Sequence, residues 1–230
     1  MAADRAVVLV VAAHPDDEVL GCGGTAARRA AAGDALHIGI LGTGLTSRGG
    51  GQEDGAAVRA LQADAREVAG MLGAKSIVFG DFPDNRMDER PLLEVVKQLE
   101  AWIGEIGPDV VYTHHAGDLN VDHRVTSLAV LTATRPLPAS TVREVYAFEV
   151  PSSTEWAFGQ AGPVFRPNVF EDIASTIDVK VQCLERYSGE IRAFPHPRSG
   201  EALRAAAKRW GSVAGLPYAE VFELIRSVRT

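Results

Sequence analysis

Cysteine is scarce in this chain: Cys22 and Cys183 are the only two in 230 residues, far apart and in none of the close pairs that zinc or redox motifs use. Such usage argues against a disulfide-stapled secreted scaffold, and the two thiols are expected as packed side chains in a reducing cytoplasm. Long hydrophobic runs are missing too. No stretch approaches the roughly 20 apolar residues of a membrane-crossing helix. The first apolar run, residues 7–13, is too short for a secretory leader and runs directly into acids. A basic excess is also lacking. With 23 Lys and Arg against 30 Asp and Glu the net charge is −7, and the arginines are scattered, which argues against a nucleic-acid surface. There is no internal repeat and no low-complexity linker.

What is present suits one α/β domain over residues 1–230, with 46% hydrophobic and 23% charged residues and ample length to bury a core. Short β-rich runs alternate with longer helical stretches, the pattern of βαβ units around a parallel sheet. Strands are expected at 7–13, 36–41, 76–79, 110–113 and 144–149. The first is apolar throughout and so expected at the centre of the sheet. Helices are expected at 24–32, 56–72, 91–106, 123–133, 178–191 and 200–210, the first two closed by Gly33 and Gly73. The stretch 42–55 is glycine-rich and loop-like.

The most informative feature is His14-Pro15-Asp16-Asp17-Glu18, placed straight after the first strand. Ligands and catalytic groups in open α/β sheets gather at the carboxyl ends of strands. An imidazole and a carboxylate three residues apart can hold two corners of a zinc site, and a neighbouring carboxylate can work on the water there. Asp16 or Asp17 could instead cap the next helix, but one cap does not call for His-Pro-Asp-Asp-Glu. Glu18 is expected either to orient a ligand or to favour the helix dipole. The fourth strand likewise ends in a dense polar stretch, from His114 to Arg124. Within it His123 opens a helix and is the best third ligand. His14, Asp17 and His123 then form a His-Asp-His set with a position left for water.

Ala13-His14-Pro15-Asp16-Asp17-Glu18 together with Asp122-His123 resembles the PIG-L/LmbE-like zinc deacetylases, which hydrolyse N-acetyl groups from N-acetylglucosaminyl sugars. The resemblance runs through most of the chain, to His196-Pro197-Arg198-Ser199 and the helix beyond. It implies a Rossmann-like three-layer fold with a mostly parallel central sheet and the metal site at the carboxyl ends of the strands. It implies Zn2+ on His14, Asp17 and His123, with Fe2+ compatible with the same ligands, and Asp16 as general base. The expected substrate is a small N-acetyl amino sugar or its conjugate, and the family is compatible with a homo-oligomer. One departure stands out. Many members carry His-x-x-His, whose first histidine helps to hold the tetrahedral oxyanion. Here that position is Asn120, so the oxyanion is expected to lean on the metal or on another histidine such as His115 or His196.

Substrate contacts are read from position. Arg48 and Arg59, in or after the glycine-rich loop, can reach sugar hydroxyls or a phosphate. Asp84 follows the third strand and matches a family acid that binds sugar hydroxyls; Asn120 and His196, the latter between two prolines, are placed on the substrate side. Trp102, Trp156 and Trp210 are expected as packing, with Trp156 in a loop that can line a sugar. Two rival readings remain. Gly21-Cys22-Gly23-Gly24-Thr25-Ala26 matches the G-x-G-x-x-A of nucleotide-binding Rossmann oxidoreductases. Its glycines begin eight residues after the strand end and the second strand ends without a ribose-binding acid, so close helix packing explains them better. The other rival is a non-catalytic sugar- or metal-binding protein, against which the acid at Asp16 argues.

Overall fold

The computed structural model describes residues 5–44 and 55–229. A seven-stranded sheet forms its centre, from β1 (Val7–Ala12), β2 (Ala35–Gly42), β3 (Ser76–Phe82), β4 (Val110–His114), β5 (Glu144–Phe148), β6 (Val169–Asp172) and β7 (Ala219–Ser227). Their spatial order is β3-β2-β1-β4-β5-β7-β6. The first five strands in this order run parallel, and β7 lies antiparallel to both β5 and β6. The helices are α1 (Asp17–Ala31), α2 (Gly55–Met71), α3 (Leu92–Ile106), α4 (Val121–Ala133), α5 (Ile177–Arg186) and α6 (Gly200–Ala214).

Strand alternation explains the three layers. Along β1, Val8, Val10 and Ala12 point into one core with residues of α1, α2 and α5, while Leu9 and Val11 point into a second core with α3 and α4. A strand apolar on both faces can only sit inside such a sandwich, as expected for residues 7–13. The order reverses between β1 and β4: the chain steps from β1 outward through β2 and β3, then returns to the other flank. This switch point opens a crevice at the carboxyl ends of β1 and β4, where both polar motifs emerge.

The chain departs from its sequence-based expectation in three places. Helix α1 begins at Asp17, seven residues before the expected start, because its glycines are interior packing positions. A Cβ on Gly21 would lie 2.3 Å from Phe148, and one on Gly24 would lie 2.9 Å from Ile173. Helix α1 breaks at Cys22 (φ −147°, ψ 19°), and the groups freed there are satisfied from far away. Glu220 accepts the N–H groups of Gly24 and Thr25 at 2.9 and 2.6 Å, while Lys180 donates to the carbonyl of Leu20 at 2.9 Å and to Glu220 at 2.6 Å. Helix α5 stops at Arg186, short of the expected 191. Strands β6 and β7 were not expected at all: Glu220, Glu223 and Arg226 interrupt the apolar pattern of β7.

Candidate metal centre and catalytic site

The turn after β1 delivers the first motif. Asp16 adopts a left-handed backbone (φ 107°, ψ −28°), which an Asp tolerates at some cost when its surroundings demand it. Glu18 supplies that demand: its Oε2 accepts the Asp16 N–H at 3.0 Å, and its Oε1 accepts the Tyr187 hydroxyl at 2.6 Å. Burial pushes the Glu18 carboxyl up to about 7 against the pull of the Tyr187 bond. Glu18 is thus the brace of the turn that carries Asp16.

Three side chains converge below that turn. Asp17 Oδ2 lies 3.3 Å from His14 Nδ1 and 3.2 Å from His123 Nε2. One ligand atom from each of His14, Asp17 and His123 fits within 4.8 Å of the others, all three being buried. Metal–ligand bonds of about 2.0–2.1 Å in a tetrahedron put neighbouring ligand atoms roughly 3.3 Å apart, so the two contacts to Asp17 have the right spacing. Asp17 Oδ1 and His123 Nε2 are buried without a hydrogen bond among the described residues. Buried polar atoms are rarely left so, and a cation between them resolves the deficit.

The far nitrogen of each histidine meets a second carboxylate. His14 Nε2 is 2.9 Å from Asp122 Oδ2 and 3.2 Å from Asp84 Oδ1, and His123 Nδ1 is 3.1 Å from Asp118 Oδ1. Metal-bound imidazoles are oriented by such partners, which also fix the tautomer. Asp122 is anchored in turn by the N–H groups of Asn85 and Met87. Asp118 is held by Ser153 and by Thr154 at 2.6 Å, and although burial works the other way, His123 and these hydroxyls draw its carboxyl down to about 2. Burial opposes charge on His123, yet Asp17 and Asp118 lift it to about 9. The pocket therefore attracts positive charge at the place where a divalent ion fits. His114 behaves differently. It stacks on His123 with centroids 4.1 Å apart and accepts the Ala13 N–H at 2.8 Å; burial and His123 lower it to about 3, so it stays neutral.

Above this cluster an open cavity of about 90 Å³ is lined by His14, Pro15, Asp16, Gly44, Asp84, Asn85, Asn120, Glu190 and Arg198. Asn85, Asn120 and Arg198 also line a neighbouring groove of about 400 Å³ with Leu119, Val121, Ser152 and Ser153. The structure thus brings His14, Asp16, Asp17, Asp84, Asn120 and His123 together. It does not bring His196 to the cavity wall; that ring lies half-buried against Trp156, 5.6 Å between centroids. Arg59 is exposed on α2, and Arg48 lies outside the described residues. Sequence reasoning missed Arg198, whose Nη1 sits 2.8 Å from Asp16 Oδ2, and also Glu190, Asp118 and His114. Asp118 and His114 lay inside a recognised polar stretch, whereas no spacing rule links Arg198 to a residue near the other end of the chain.

Fold and site together define a metal-dependent amidohydrolase built at the switch point of a mostly parallel α/β sheet. The chain belongs to the PIG-L deacetylase family: the family described as "PIG-L: GlcNAc-PI de-N-acetylase" matches residues 9–134. Among curated proteins it is similar to the uncharacterized deacetylase YaiS of Escherichia coli K12, 30% identical over 189 residues, covering 80% of this chain and 91% of that one. Among solved structures it is similar to the N,N'-diacetylchitobiose deacetylase of Pyrococcus horikoshii, with TM-score 0.76, 20% identity, and coverage of 97% of this chain and 85% of that one. It is similar as well to GalB, the 4-carboxy-2-hydroxymuconate hydratase of Pseudomonas putida KT2440, with TM-score 0.78, 25% identity and 98% of each chain covered. Among the described residues no helix is long and apolar enough to cross a membrane.

Proposed function

We propose that the protein is a single-domain, zinc-dependent hydrolase that removes the N-acetyl group from an N-acetylglucosaminyl-type amino sugar or its conjugate. The observation that carries this reading is the buried His14, Asp17 and His123 cluster with Asp16 beside it in one cavity. The family description and the diacetylchitobiose deacetylase of like fold support the substrate class. Fe2+ suits the same ligands. The free, buried Cys22 and Cys183 support a reducing compartment such as the cytoplasm.

A divalent ion held by His14, Asp17 and His123 would polarise the acetyl carbonyl and lower the pKa of water from 15.7 to about 7. Asp16 takes the proton of the attacking water as the water oxygen bonds to the acetyl carbon. The π pair of the carbonyl moves onto its oxygen. The oxygen's pair then re-forms the C=O bond as the C–N bond breaks, the C–N pair leaves with nitrogen, and Asp16 returns the proton to the amine; the acetic acid formed ionises to acetate, and a free amino sugar results. Burial pushes the Asp16 carboxyl well above its ordinary value while Arg198 draws it back, which suits a group that must both accept and release a proton. Asp84 and Asn120 line the cavity, which supports a role for them in meeting sugar hydroxyls; Arg48 remains an expectation from the sequence.

The likeness to the P. putida hydratase favours a second reading, addition of water to a carbon–carbon double bond of a small unsaturated acid. One experiment separates the two. The metal-reconstituted protein is offered a panel of N-acetylglucosaminyl compounds and of unsaturated dicarboxylic acids, with and without chelator. Chelator-sensitive release of acetate and primary amine supports the deacetylase; loss of diene absorbance without amine release refutes it in favour of the hydratase.

A further inference from the structure

We propose that Arg198 is a catalytic residue whose guanidinium holds the acetyl carbonyl oxygen as it becomes an oxyanion. The inference rests on the deacetylase reading above. Amide hydrolysis develops a full negative charge on that oxygen, and a donor oriented before reaction stabilises it best.

The other candidates near the cavity are committed elsewhere. Asn120 caps α4, its Oδ1 accepting the Asp122 N–H at 2.8 Å, and so keeps only a neutral amide donor. His115 is buried, with Nε2 2.7 Å from the Pro163 carbonyl and Nδ1 3.1 Å from Glu223. His196 accepts the Arg198 N–H at 3.1 Å and packs on Trp156.

Arg198 has the opposite character. Nη1 donates to Asp16 Oδ2 at 2.8 Å and to Glu190 Oε2 at 3.2 Å, and Nε donates to Ser152 Oγ at 2.8 Å. These bonds fix the plane of the guanidinium through Nε and Nη1, while Nη2 has no partner among the described residues. The side chain is 21% exposed and lines both the polar cavity and the groove beside it. A guanidinium spreads its charge over all three nitrogens, so two carboxylates at Nη1 orient it without removing the donors of Nη2. Because Nη1 rests on Asp16, the free donors stand beside the group that handles the proton of the attacking water. Among the described residues of the cavity wall, Arg198 is the one permanent cation.

The test uses zinc-reconstituted wild type, Arg198→Ala and Arg198→Lys, with acetate release, zinc content and acetate affinity by calorimetry. For Arg198→Ala, kcat falls about 100- to 1000-fold with zinc content retained, the loss expected for removing one oxyanion donor. KM changes little, since the contact forms only in the transition state. Added guanidinium ion restores part of kcat, Arg198→Lys retains more than Arg198→Ala, and acetate binds at least about tenfold more weakly to Arg198→Ala. Unchanged kcat in Arg198→Ala overturns the proposal, and so does a loss that follows loss of zinc. If wild type releases acetate from no N-acetyl compound, the deacetylase reading fails by itself. Acetate affinity still decides the role of Arg198: equal affinity in wild type and variant overturns it. Should Arg198→Ala fail to fold, Arg198→Lys carries the same comparison, and activity equal to wild type in it refutes the need for the fork.

Discussion

The hydroxyl of Tyr187 donates to Glu18 at 2.6 Å, joining the end of α5 to the turn that carries Asp16, across 169 residues of chain. The other oxygen of Glu18 holds the N–H of Asp16, so a tyrosine remote from the metal cluster braces the conformation of the proposed base. Tyr187→Phe leaves a buried carboxyl oxygen without its donor. A loss of about 1–3 kcal/mol in unfolding free energy is expected. Turnover should fall while metal content stays at the wild-type value. Denaturant unfolding and metal analysis check both, and full activity at unchanged stability would mean that the brace is idle.

The proposed roles separate cleanly by substitution. Asp16→Asn should keep its metal and lose about 100- to 10,000-fold in kcat, the usual contribution of general acid–base catalysis. His14→Ala, Asp17→Ala and His123→Ala should each lose metal and activity together. Elemental analysis of the purified variants, set beside turnover, tells the two patterns apart; metal loss in Asp16→Asn would place that residue among the ligands instead.

Asp118 stands behind His123 at 3.1 Å. Asp118→Asn preserves shape but removes the charge that orients the imidazole. Zinc affinity should drop about 10- to 100-fold, as for other partners of metal-bound histidines. A competition titration with a chromophoric chelator measures it, and an unchanged affinity would remove Asp118 from the site.

In metal-free protein His114 and His123 should bend the pH dependence of stability in opposite directions about pH 6.5, with Glu18 and Asp16, whose carboxyls burial raises, opposing His114 on the acid side. In the unfolded chain a histidine takes up its proton near pH 6.5. Folded His114, lowered to about 3 by burial and by His123, refuses it. Between these values the unfolded state binds this proton and the folded state does not, so the His114 contribution falls as the pH falls, with a slope of up to about 1.4 kcal/mol per pH unit. His123 is raised to about 9 by Asp17 and Asp118 against burial. The folded state then holds the extra proton, and stability is lost as the pH rises from 6.5 through that value. Metal replaces this proton and should abolish the alkaline limb. Thermal unfolding of wild type and His114→Gln across pH 4–9 reads both contributions; an identical pH dependence below 6.5 in His114→Gln would count against the assignment.

The break in α1 depends on a buried ion pair. Lys180→Met strands the Glu220 carboxylate between the Gly24 and Thr25 N–H groups and should cost about 3–5 kcal/mol. Lys180→Met combined with Glu220→Gln should recover part of that loss, because no uncompensated charge remains. Equilibrium unfolding of the single and double variants checks this, and a double variant no more stable than Lys180→Met would show that the pair is not the cause.

Sequence alone determined whatever depends on neighbours along the chain. The apolar run into β1 and the acids that end it are contiguous, and so are β4 and the polar stretch that places His123 in the first turn of α4. A parallel sheet forces strand ends of this kind to one edge, which is why the grouping of His14, Asp17 and His123 is legible along the chain. Tertiary structure decided the rest. Glycines 21, 23 and 24 speak against a helix by propensity, yet Phe148 and Ile173 press so close that only glycine fits at two of these positions, and packing overrides propensity. The charges of β7 hide a strand because Glu220 points inward to serve the broken helix. Arg198 and Asp16 meet at a sequence separation of 182, and Tyr187 and Glu18 at one of 169. Such contacts are products of how the layers close on one another, and periodicity, which reports only local geometry, carries no trace of them.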